Sequence, residues 1–198
     1  MAPSASETRR AAAALLLLLL AATSGAAQDS YPADITPPAG TRYPCALTAL
    51  PQGLPGIPEA DRAYLNHTYA RILRATQAKL VLLKVLEEGR AIGPALDRYQ
   101  DATGGLAARQ KIDSVPAGLE PFQEDVLAAL ALQQAFFSKA AALRQVGRGM
   151  DEVYSVTEGR QASARLIAAW SRMQARYPGW PPETRDSIYH HLCALDLF

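Results

Sequence analysis

The densest group of chemically versatile side chains lies near the C-terminus, in Ser187-Ile188-Tyr189-His190-His191-Leu192-Cys193, which holds two of the chain's 3 histidines. Imidazoles can ligate a metal or carry a proton near neutral pH. Neighbours on a helix point about 100° apart, so His190 and His191 do not form the chelating pair that residues at i and i+4 make. At most one of them can serve a given metal. His67 is the only other imidazole, and the chain has no E-x-x-H or H-x-x-x-H pattern of the kind found in bundle metal sites. The expectation is one packed histidine and one exposed histidine, with no metal and no cofactor.

Four aromatic residues, Trp170, Tyr177, Trp180 and Tyr189, surround the turn Pro178-Gly179-Trp180-Pro181-Pro182, which is expected to draw them together near one end of the protein. Such rings line ligand pockets and interaction surfaces, and they also fill cores. Trp180 sits where no helical face buries it automatically. With Tyr189, His190 and His191 it forms the candidate set for contact with a ligand or partner.

Other short motifs of catalysis or phosphate binding are absent from the sequence. The chain has no G-x-S-x-G elbow, P-loop or G-x-G-x-x-G motif, and Gly147-Arg148-Gly149 lacks a third glycine. Glu87-Glu88 and Asp151-Glu152 are adjacent carboxylates that diverge on a helix, as solvated helix ends do. Asn66-His67-Thr68 matches a glycosylation sequon but falls inside an expected helix, which favours a chance match. No catalytic residue is assigned.

The N-terminus reads as an export leader spanning residues 1–27. Arg9 and Arg10 form its basic region, Ala11 to Ala22 run apolar, and Ser24, Gly25, Ala26 and Ala27 supply small residues for cleavage. An apolar run of about a dozen residues is short of the roughly 20 that a membrane span needs, so no stable span is expected after cleavage. Export places the protein in the periplasm or outside the cell, where disulfides persist. Cys45 and Cys193 are the only 2 cysteines, and they lack the C-x-x-C spacing of a redox pair. They are therefore expected to bridge the two ends of the mature chain, which in the loop-closure account contributes roughly 5 kcal/mol. Free thiols and an intermolecular bridge are the alternatives.

Charge excludes one class of partner. Losing the leader removes two arginines and one glutamate from 20 basic and 19 acidic residues, so the mature chain is near neutral. Its basic residues are scattered singly, with no basic face for nucleic acid.

Residues 28–56 are rich in Pro and Gly, which predicts extended or coil backbone. Residues 57–198 form the helical domain. A first helix is expected from Pro58 to Gly89, with Leu65, Tyr69, Ile72, Leu73, Leu80, Leu83 and Leu86 inward and Arg71, Arg74, Lys79 and Lys84 on other faces. A weaker one spans 94–112 with a kink or break at Gly104-Gly105. The third runs from Leu119 to about Gln145. The fourth starts between Met150 and Glu158 and reaches Tyr177, and a short helix covers about 182–195. No strand pattern occurs. The predicted fold is all-α: an exported bundle of four principal helices plus a short C-terminal helix, closed by one disulfide.

These features point to an exported helical protein that binds a protein partner of the cell envelope. Two alternatives stand beside it. One is a bundle holding a small ligand or metal at the C-terminal His and aromatic region. The other is an enzyme of a class without a short motif.

Overall fold

The computed structural model describes residues 47 and 49–197. The expected leader, most of the Pro/Gly-rich segment and Cys45 lie outside the described residues. Six helices occur among them, and no strand: α1 (Glu59–Glu88), α2 (Ile92–Ile112), α3 (Glu120–Gln145), α4 (Met150–Tyr154), α5 (Thr157–Arg176) and α6 (Pro182–Leu195). The protein is all-helical.

Local chemistry explains the limits of α1. Pro58 has extended backbone and hands the chain into the helix, and Glu59 and Asp61 lie in the first turn, at the positive end of the dipole. Gly89 ends it at φ 70°, with its N–H donating to the carbonyls of Val85 and Leu86. Only glycine adopts that left-handed conformation without steric cost. Ahead of the helix, Leu50 is buried and pinned to α1. Its N–H donates to Asn66 Oδ1 at 2.8 Å, and its carbonyl accepts from Asn66 Nδ2 at 3.1 Å and from Arg62.

The second helix differs from expectation at both points of interest. It opens at Ile92, two residues before Pro94, because a proline in the first turn forfeits no intrahelical donor. It also runs unbroken through Gly104 and Gly105. Both glycines face solvent, while Tyr99, Thr103, Leu106 and Gln110 around them are buried, so packing of the flanks outweighs the weak helix propensity of glycine. Between Gly149 and Arg176 the chain makes two helices, since Ser155-Val156 interrupts the pattern and Val156 is extended.

α3 packs along α5 and against α2, α1 packs on α2 and α6, and α6 lies across α1 and α5. Two apolar clusters result. One joins Leu65, Tyr69 and Ile72 of α1 with Phe122, Val126 and Leu130 of α3, Leu166 and Met173 of α5, and Ile188, Leu192 and Leu195 of α6. The other joins Leu82 and Leu86 with Tyr99, Phe136, Phe137 and Val153. α3 is long and apolar enough to cross a bilayer by length and composition. Here it is the central helix, with Phe122, Val126, Leu130, Phe136 and Phe137 buried against its neighbours.

Charged residues cross-link this core, and two of them depart from the sequence expectation. Arg71 and Lys79, placed by periodicity on faces away from the core, are each 4% exposed. Arg71 bridges α1 to the end of α2 through Asp113 at 2.5 Å and Gln110 at 3.3 Å. Buried Asp125 on α3 takes Arg165 at 3.1 Å and Arg172 at 2.6 Å from α5. Asp61 accepts from Arg176 at 2.8 Å and from the hydroxyl of Tyr177. Each buried charge has a counter-charge or polar partner, as the cost of desolvating it requires.

Candidate functional site

The C-terminal helix is held by its last turn. A helix ends with carbonyls that lack intrahelical donors, and here two distant side chains supply them. Lys79 donates its ammonium hydrogens to Ala194 O, at 2.7 Å, and to Asp196 O. Gln133 Nε2 reaches Leu195 O at 2.8 Å, while its Oε1 accepts from the hydroxyl of Tyr99. Burial lowers Lys79 to about 8, against the opposing pull of Asp196 and Cys193. This lysine escaped the sequence reading because its acceptors lie 115 residues away. The unsatisfied carbonyls of a final turn signal that donors are needed, but not which ones.

With α6 fixed in this way, its candidate residues take separate environments. His191 is fully buried, stacks on Tyr69 and donates from Nδ1 to Ser187 O at 2.7 Å. Burial pushes its pKa down to about 4, with His190 adding to the shift, so the ring is neutral at physiological pH. His190 is half-buried and tilted against Tyr189. Among the described residues no three His, Cys, Asp or Glu side chains come together as a metal site would need.

The four aromatics meet as pairs. Trp180 lies flat on Tyr177, with centroids 4.6 Å apart, and packs against the first apolar cluster. Its indole N–H is buried without an acceptor among the described residues. Trp170 meets Tyr189 edge to face at 5.6 Å. Trp180 is thus part of the seam between α5 and α6, while Tyr189 remains 47% exposed.

The second pair borders a groove. Leu166, Ile167 and Trp170 of α5 face Tyr189, Leu192, Cys193 and Asp196 around a cavity of about 150 Å³. Tyr189 and Cys193 are spaced at i and i+4 and so share one face of α6, and Asp196 follows just past its end. A more open depression adjoins it, lined by Tyr154, Arg160, Ser163, Ala164 and Ile167. Ile167 stands between the two and is 61% exposed. The arrangement can receive an apolar group and sets the Cys193 sulfur and the Asp196 carboxylate at the rim. The three- and four-residue spacing of Leu166, Trp170, Met173 and Tyr177 marks one apolar face of α5. It says nothing of Ile167, an aliphatic residue left on the outside of an arginine-rich helix.

Asn66, the sequon asparagine, spends its amide on Leu50 and is 9% exposed. A glycan there would break the anchor of the entering chain.

No known protein family matches this chain, and neither curated proteins nor solved structures show a match.

Proposed function

We propose that this is an exported helical protein that acts by binding a protein partner in the cell envelope, through the face formed by α5 and α6. The observation that carries this reading is the exposed apolar strip Tyr154, Ile167 and Tyr189 beside the α5–α6 groove. Large apolar side chains grouped around a concavity mark interaction surfaces more often than scattered ones do. The leader-like N-terminus supports export, to the periplasm or beyond.

A photo-crosslinking residue at position 167, with a control at exposed Arg98 on α2, tests the reading in the producing cell. The expected result is a crosslink from 167, and none from 98, to a protein that mass spectrometry identifies as exported. Accumulation of the uncleaved chain in the cytoplasm, or equal crosslinking from both positions, would reject it.

The disulfide between Cys45 and Cys193 belongs to the same reading. Cys193 is half-buried at the groove. Thiol labelling of the exported protein should modify neither cysteine before reduction and both afterwards. Two labels without reduction would refute the bridge.

A further inference from the structure

We propose that residues 43–48 of the Pro/Gly-rich segment dock in extended form along α1, antiparallel to it, over the stripe Asn66, Ala70, Leu73 and Gln77. These four follow one another at steps of four, three and four residues and so share one face of the helix. Ala70 and Leu73 are both 0% exposed, yet they belong to neither of the apolar clusters that the helices build. His67 and Arg74, on the neighbouring face, are exposed. The cover of this stripe therefore comes from outside the helical core.

The anchor at Leu50 selects the occupant. Its carbonyl accepts from Arg62 at 3.2 Å and from Asn66 at 3.1 Å, and its N–H donates to Asn66 at 2.8 Å. Arg62 lies one turn nearer the start of α1. The carbonyl side of Leu50 thus leads back toward Glu59, and the amide side points toward Ala70. The chain that precedes Leu50 is aimed along the stripe.

Period and reach agree with this path. Leu47 and Leu50 are three residues apart, the repeat of a polyproline II helix, which Pro44 and Pro51 on either side favour. Leu47 is half-buried and Leu50 buried, whereas Ala49 between them is exposed. At about 3.1 Å per residue for such a segment and about 1.5 Å for an α-helix, Leu47 lies level with Leu73, each roughly 10 Å beyond the anchor. Cys45 then arrives level with Gln77, roughly 16 Å along. The next turn of α1 carries Lys79, which holds Ala194 and Asp196 at the end of α6, and Cys193 belongs to that same end. This path deepens the disulfide reading by naming how Cys45 reaches Cys193. It approaches from the α1 side and leaves Leu166, Ile167 and Trp170, the α5 wall of the groove, to the partner.

A photo-crosslinking residue at position 47 of the purified exported protein, with position 49 as control, tests the path through mass spectrometry of intrachain products. Position 47 should crosslink to residues 70–77 of its own chain, and position 49 should not. The product should persist in Cys45→Ser, because apolar contact and the Leu50 anchor hold the segment without the bridge. Loss of the product in that variant, products from 47 on α5 or on residues 189–193, or no product on 70–77 would each overturn the proposal. Thiol labelling separates its failure from that of the bridge. Free thiols with the 70–77 product intact reject the bridge and keep the path, whereas an intact bridge without that product rejects the path and keeps the bridge.

Discussion

The imidazole of His191 lies against the ring of Tyr69, with centroids 4.3 Å apart and planes within 15° of parallel. This stack joins α6 to α1 inside the core, and its Nδ1–H is committed to the carbonyl of Ser187. A charged ring at this place would lose its hydration, which is why the neutral form is favoured.

That preference makes stability depend on pH. The native state holds His191 near 4, whereas the unfolded chain titrates near 6.5, so between these values the unfolded state binds the proton that the folded state refuses. The contribution is complete above about 6.5 and is lost as pH falls toward 4, amounting to something on the order of 3 kcal/mol. Urea unfolding at a series of pH values should show the loss. His191→Phe, which retains a ring on Tyr69, should flatten the profile in that window; a parallel decline in both proteins would refute the assignment.

Lys79 should act locally. Replacing it with methionine removes a desolvated charge, which offsets part of the cost of leaving two carbonyls without donors, so the global change is expected to stay within about 2 kcal/mol. Hydrogen exchange should report more, with amides of the last turn of α6 losing protection while α3 is unchanged. Unaltered exchange at 192–196 would show that the lysine does not secure this turn.

Asp125 joins α3 to α5 through two arginines that are themselves about half exposed. Solvent screens that pairing, so Asp125→Asn is expected to cost about 2 kcal/mol, below the range for a fully buried pair. Arg165→Gln should cost clearly less, since Arg172 remains. Equilibrium denaturation that ranks the two variants in the reverse order would contradict this.

Gly118 has φ 86°, and a Cβ built there would lie 2.2 Å from Arg176 Nη1. Gly118→Ala therefore combines left-handed backbone strain with displacement of an arginine that binds Asp61 and Ala117 O. A loss of about 1–3 kcal/mol is expected. Gly179→Ala, whose added Cβ meets nothing within 4 Å, is the control in thermal melts and should differ little from the native chain.

Much of the helical frame was legible before any coordinates. Pro58 and Gly89 mark the limits of α1 because capping depends on the residue at the position itself. The inward stripe of α1 was right for Leu65, Tyr69, Ile72, Leu73 and Leu86, but Leu80 and Leu83 are only half-buried while Leu82 is fully covered. The second half of this 30-residue helix serves the other apolar cluster, and a single stripe cannot describe a helix whose neighbours change along its length. At Gly104-Gly105 the expected break does not occur, because a break is decided by what the flanking residues bury.

The candidate site was legible in part. The candidate set contains Tyr189, which lines the groove, but it groups that residue with His191 and Trp180, which pack elsewhere, and leaves out Cys193. Sequence by itself determined that this chain is helical, near neutral in charge and without a short catalytic motif, since those properties belong to composition and local periodicity. Only the tertiary structure decided that Lys79 is buried, that His191 is neutral and that Ile167 is left outside. Each depends on which helix lies opposite, and contacts spanning more than 100 residues leave no local pattern in the chain.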